Sequence, residues 1–268
     1  MGAATAVALL AGIVVAPGGA SAAAAKRIPV VSVHAGKTLS LSRTHLSPGR
    51  VTFDVQSAKG ESDLQIASLR NGYTFAQANQ DVNAAFGGNL AAIRRADANI
   101  SFKGGVAATP KHPASFTVYL SAGTYYATVN NLFKKITVSG AAVNRKTVKT
   151  NSTVTMLTYG FDSLPRLPRS GEMRLSNGAE QPHFLVLIHV KKNTTRAMLK
   201  QAFSSESQSA PNFVLSGGTS TGILSPGKTQ AFSYSTAAGR YVLACFWADD
   251  VTGMSHAAMG MYKLVTLY

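Results

Sequence analysis

The chain contains one cysteine, Cys245, and two histidines and a methionine stand around it in a telling order. His183 lies in Gln181-Pro182-His183-Phe184 and opens an apolar run that reaches Val190. Cys245 closes the run Tyr241-Val242-Leu243-Ala244-Cys245. His256 and Met261 follow in His256-Ala257-Ala258-Met259-Gly260-Met261. A thiolate, two imidazoles and a weak axial thioether form the donor set of a type 1 copper site. His183, Cys245 and His256 are the candidate equatorial metal ligands and Met261 the candidate axial one, with Met259 and Met254 as alternatives. Each residue alone has a plainer reading. Cys245 could be a small buried core thiol, His256 a loop residue bonded to a carbonyl, Met261 a core residue opening a buried strand, and His183 a strand-end residue. Their joint presence favours a metal. His189 shares a strand face with His183 but lies about 20 Å further along at the rise of a β-strand, too far to share one ion.

Such ligands must be brought together by a scaffold, and the chain supplies its pattern twice. Pro48-Gly49 precedes the alternating run Val51-Thr52-Phe53-Asp54-Val55, and Gly171 precedes Met173-Arg174-Leu175. A second strand follows in each copy, Leu64 to Leu69 and Phe184 to Val190. Polar, weakly helical stretches come next, Thr74 to Phe86 and Thr194 to Phe203. Gly104-Gly105 and Gly217-Gly218 then correspond, as do Ala122-Gly123-Thr124-Tyr125 and Ala238-Gly239-Arg240-Tyr241. The last strands are Lys135 to Val138 and Lys263 to Leu267. Short runs rich in β-branched and aromatic residues, bounded by Gly, Pro, Asn and Ser, predict an all-β chain. The expected architecture is two tandem Greek-key β-sandwiches, each with a short helical insertion. The expected division is 1–22 leader, 28–140 first domain, 141–158 linker and 159–268 second domain. Aligning the copies puts Val129 opposite Cys245 and Ser62 or Asp63 near the place of His183, so the first copy lacks the ligand set.

The second copy resembles a cupredoxin, the blue copper domain of the plastocyanin and halocyanin type. The resemblance rests on Pro182-His183, on the strand ending at Cys245 and on His256-x-x-x-Gly260-Met261, and covers about 100 residues from Gly171 to Tyr268. Overall the chain is similar to secreted actinobacterial proteins with tandem cupredoxin-like domains. The resemblance implies one copper ion, for single-electron transfer with a redox partner protein or for copper holding. One feature departs from the plastocyanin pattern: ten residues, Phe246 to Ser255, separate Cys245 from His256. Longer loops of this kind occur in the copper nitrite reductase type of cupredoxin domain. The insertion contains Asp249-Asp250 and Gly253, and reads as polar and flexible.

Composition bounds the rest. Ala3 to Ala16 is apolar apart from Thr5 and Gly12, and Ala20-Ser21-Ala22 follows Pro17-Gly18-Gly19 as a cleavage-site pattern. That predicts a secretory leader and a secreted protein, with no transmembrane segment after it. Lys and Arg outnumber Asp and Glu by 26 to 11, which suits an anionic cell-envelope surface. No basic helix or aromatic-plus-basic signature points to nucleic acid. No Gly-x-Ser-x-Gly, His-Glu-x-x-His or phosphate loop occurs. Nor does the His-x-His that multicopper enzymes use to build a second centre, so no catalysis is expected. The competing expectation is a copper-free cupredoxin-like module of the cell envelope, with Cys245 as a core thiol.

Overall fold

The computed structural model describes residues 26–143, 145–204 and 211–268. The expected leader, 1–22, lies outside the described residues. Both copies fold as β-sandwiches. In the first, Val30–Ala35 pairs in parallel with Gly49–Ser57, which pairs antiparallel with Ala114–Leu120. In the second, Ser152–Leu157 pairs in parallel with Ser170–Asn177, which pairs antiparallel with Thr229–Ser235. Ser152–Leu157 lies in the stretch expected to connect the copies.

The alternating pattern acts as the pleat requires. In Gly49–Ser57 the residues Val51, Phe53 and Val55 point inward and are fully buried, while Thr52 and Asp54 between them are half-exposed. Each copy adds a second sheet of five strands. That of the second copy runs in the order Arg166–Leu167, Tyr262–Leu267, Gly239–Ala244, Val186–Val190 and Thr219–Ser220. The strand carrying His183 at its entrance thus lies beside the strand leading to Cys245, and that strand lies beside the one that follows Met261.

The two copies share a sheet. Thr229–Ser235 pairs with Ala114–Leu120 through Gln230↔Val118, Ala231↔Thr117 and Phe232↔Phe116, and so fuses the inner sheets into one of eight strands. The main hydrophobic cluster accordingly runs from Val31 in one copy to Leu267 in the other. Two buried or half-buried glutamines fasten the junction. Gln230 Oε1 accepts from Gly105 N at 2.8 Å and its Nε2 donates to Gly105 O at 3.2 Å. Gln65 Nε2 donates to Gly104 O and Ile223 O, and its Oε1 accepts from Ile223 N at 2.6 Å. The Gly-Gly pair is therefore interior to the strand Ile100–Ala108 and is needed for close approach. At Gly104 φ is +121°, and a Cβ would sit 2.1 Å from Gln230 Oε1. Gly104→Ala is expected to cost about 3 kcal/mol in urea unfolding, from left-handed backbone strain combined with overpacking. A change below about 0.5 kcal/mol would mean that the junction yields freely.

Three helices decorate the sheets. The first, α1 (Phe75–Phe86), starts with a capping box in which Gln77 N donates to Thr74 Oγ1 and Thr74 N donates to Gln77 Oε1. The second, α2 (Leu90–Asn99), is capped by Asn89 Oδ1 and joined to α1 by the Arg95–Asp81 ion pair at 2.6 Å. In the second copy, α3 (Arg196–Ser204) contributes Leu199 to a buried cluster with Val190, Val242 and Tyr262 of its sheet. The two helical stretches read from the sequence match α1 and α3. The first copy carries one helix more than expected, α2. Among the described residues no helix is long and apolar enough to cross a membrane.

Candidate metal centre

Cys245 lies one residue beyond the strand Gly239–Ala244, and its N–H donates to Met261 O at 3.3 Å. His183 is pinned by paired backbone bonds to Leu224, donating at 3.1 Å and accepting at 2.7 Å. His256 N donates to Trp247 O, and Met261 N donates back to His256 O, both at 2.8 Å. Three separate stretches of chain are thereby tied at the backbone before any side chain is considered.

The side chains meet. Sγ of Cys245 lies 3.6 Å from His183 Nδ1 and 3.7 Å from His256 Nδ1, and the two Nδ1 atoms are 2.9 Å apart. A point equidistant from the three lies about 2 Å from each, close to the length of a metal–imidazole bond and somewhat short of a metal–thiolate bond. All three residues are at most 1% exposed, and they form the His–Cys–His group among the described residues that could hold a metal ion. Met261 is fully buried in the same cluster as Cys245 and Trp247. Met254 is about half exposed, and the sulfur of Met259 accepts from Thr252 Oγ1 at 3.6 Å. His189 stacks on Tyr241 and bonds Ser216 O, away from the group.

The insertion between Cys245 and His256 is built rather than loose, and this replaces the flexible polar loop read from the sequence. Trp247 and Asp249 are fully buried. Asp249 Oδ1 accepts from Val251 N, Thr252 N and Thr252 Oγ1 at 3.1, 2.7 and 2.7 Å. Its Oδ2 accepts from Tyr159 Oη at 2.6 Å and Gln181 Nε2 at 3.0 Å. Burial works to raise this carboxyl, but those bonds outweigh it and hold the group well below the usual range. Gln181 Nε2 also donates to Asp250 Oδ1 at 2.9 Å. With its amide nitrogen committed to two carboxylates, Gln181 turns its oxygen to His256 Nε2 at 2.9 Å. That bond places the His256 proton on Nε2 and leaves the Nδ1 lone pair aimed at the centre. Gln181, Asp249 and Tyr159 were not singled out from the sequence. Only the position of Gln181, two residues before His183, could have flagged any of them.

Electrostatics favours uncharged donors. Burial, helped by the neighbouring His256, lowers His183 to about 3. Burial lowers His256 to about 4 despite Asp249 nearby. Burial pushes the Cys245 thiol up to about 12, against the opposing pull of backbone N–H groups from Phe184 and Trp247. Two imidazole lone pairs and a sulfur facing one another need a proton or a cation between them, and a soft thiophilic metal fits this donor set. His183 Nε2 is buried without a partner, so no second bond sets its tautomer.

The imidazoles also make the metal-free protein acid-sensitive. Unfolded histidine takes up its proton near pH 6.5, whereas the folded residues wait until about 4 and about 3. Between these limits the unfolded state binds more protons, so stability falls as pH falls. Each proton contributes about 1.4 kcal/mol per pH unit. Urea midpoints measured from pH 7 to 4 should decline steadily, and a flat profile would contradict buried neutral histidines.

No protein-family profile and no curated protein matches the chain. Solved structures do. Auracyanin A, a "blue" copper protein from the green thermophilic photosynthetic bacterium Chloroflexus aurantiacus, is 20% identical over 41% of this chain and 99% of its own, with a TM-score of 0.31. A copper-containing nitrite reductase from Thermus scotoductus is 10% identical over 91% of this chain and 62% of its own, TM-score 0.25. A multi-copper oxidase from Pediococcus acidilactici is 9% identical over 90% of this chain and 59% of its own, TM-score 0.26. The last two are enzymes, and on that finding the expectation that this chain is not an enzyme is corrected. Fold, internal repeat and the His–Cys–His group together make the chain a tandem of two cupredoxin-like β-sandwiches.

Proposed function

We propose that His183, Cys245 and His256 hold one copper ion in a type 1 arrangement, with Met261 as axial donor, for single-electron transfer or copper holding outside the cell membrane. The observation that carries this reading is the convergence of two Nδ1 atoms and one Sγ on a common buried point. Copper bound there would supply a one-electron couple. The chain's own residues would fix the donors in advance, so that little has to move when the electron arrives. Gln181 would orient His256, and the N–H groups of Phe184 and Trp247 would direct hydrogen bonds at the sulfur, one of the levers on potential in such sites. Met261 is preferred over Met254 and Met259 because it alone of the three is fully buried beside Cys245.

Electron transfer requires a redox partner protein, and the apolar N-terminal run supports export. We take the two units as 28–140 and 159–268 with 141–158 between them, and Ser152–Leu157 of that connector extends the second unit's sheet. The test is direct. Purified full-length protein is loaded with Cu(II) and dialysed. Intense blue colour with one copper retained per chain supports the reading, and a colourless, metal-free product overturns it.

A further inference from the structure

α1 touches its sheet through Phe75, whose ring centroid lies 4.1 Å from that of Phe133, yet leaves open space beside it. Phe75, Ala78, Asn79, Val82, Asn83 and Phe86 form one face at helical spacing, and that face borders a cavity of about 510 Å³. Across it lie Phe102 and Tyr126 of the first copy, and Phe184 and Ile223 of the second. Phe86 is 52% exposed and closes over Phe184 and Trp247 edge-on, at 6.0 and 5.4 Å between ring centroids. The volume is that of an ordinary small-molecule site, and the walls are aromatic and aliphatic with a few amides. The charges bordering the cavity run against those of the whole chain. Lys and Arg exceed Asp and Glu by 26 to 11 overall, yet the cavity is bordered by Glu61 and Asp63 and by no Lys or Arg. Both carboxylates are exposed at the rim, and Asp63 has the Ser220 hydroxyl as its hydrogen-bond donor at 3.4 Å. Among the described residues the ion pair is Arg95–Asp81, so neither rim carboxylate is matched by a cation of the chain.

We propose that this cavity between α1 and the sheets is a binding site for a small apolar organic cation, such as an aryl or alkyl amine, whose body lies among Phe75, Phe86, Phe102, Tyr126 and Phe184 and whose ammonium faces Glu61 and Asp63. Aromatic faces attract a cation, and rim carboxylates add a salt-dependent preference. The site is independent of copper, since none of its walls is a candidate ligand.

Three ligands with one aromatic body separate shape from charge: 1-naphthylmethylamine, 1-naphthylmethanol and 1-naphthylacetate, titrated calorimetrically into the full chain at pH 7 and low salt. The amine should bind at one site per chain, about fivefold tighter than the alcohol, with the carboxylate weakest. Ala78→Phe, which fills the cavity, should remove binding of all three while the thermal midpoint is kept. The double change Glu61→Gln with Asp63→Asn lies at the surface and should erase the amine's advantage while leaving the alcohol bound. The proposal is overturned if none of the three binds, if naphthylacetate binds as tightly as the amine, or if the double variant keeps the amine's preference.

Discussion

The Cys245→Ser protein should fold normally, remain colourless with Cu(II), and lose the metal on dialysis. Three features make this the largest single effect on the site. Sulfur is the one donor there able to carry a full negative charge, and the visible colour of a Cys-ligated Cu(II) centre arises from thiolate-to-copper charge transfer. A serine hydroxyl stays protonated at neutral pH and is too hard a donor to replace it. The fold has little reason to fail. Ser is close in size to Cys, and the N–H groups of Phe184 and Trp247 that face Sγ can face Oγ instead. The stability cost should be about 1 kcal/mol, as for a conservative change at one buried position. Absorption, metal analysis and circular dichroism on the same sample check the three parts. Colour retained with an intact fold would remove Cys245 from the ligand set, and the type 1 reading with it.

Much of the scaffold was legible because it was written twice. The alternation at Val51, Phe53 and Val55 and the recurring Ala-Gly-x-Tyr are local signals, and local signals survive translation into strands. Thr74 to Phe86 was readable for the same reason, since its capping box is complete within four residues. The next helix, Leu90–Asn99, was not. Its large apolar residues are only Leu90 and Ile93, and its remaining buried contacts are made by alanines, which leave almost no periodic trace. Gly104-Gly105 stood out only as a pair repeated in both copies. It is the point where one copy's backbone meets Gln230 of the other, and a contact across 125 residues leaves no mark on nearby sequence. The first copy's empty centre was legible by alignment. Val129 is buried as a packing residue, and Ser62 bonds the hydroxyl of Ser57 at 2.8 Å.

The four candidate ligands were legible as residue types, and the meeting of His183, Cys245 and His256 follows from strand neighbours. What escaped was the support behind His256. Asp249-Asp250 within an insertion suggests solvent, because carboxylates are seldom buried. Burial here depends on donors drawn from Tyr159 and Gln181, which are distant in sequence.

That dependence leads to the second large effect. Asp249→Ala should lower the stability of the metal-free protein by about 3 kcal/mol, the scale of losing several hydrogen bonds to a buried charge. Five donors lose their acceptor at once. Tyr159 and Gln181 among them are half-exposed, and Gln181 keeps Asp250 as a second acceptor. Asp249→Asn should cost less. Its remaining oxygen can still serve Val251 and Thr252, but its amide would face the Gln181 amide donor to donor. Both changes loosen Gln181 and hence His256, so copper affinity measured by chelator competition should fall about 10- to 100-fold. Asp250 keeps one bond to Gln181, which is why the loss stops short of that expected for Cys245→Ser. A stable Asp249→Ala protein with unchanged copper affinity would mean that the insertion is a passive spacer. A loss of affinity in Asp249→Asn larger than its loss of stability would instead identify the Asp249–Gln181–His256 chain as the device that holds one imidazole at the metal.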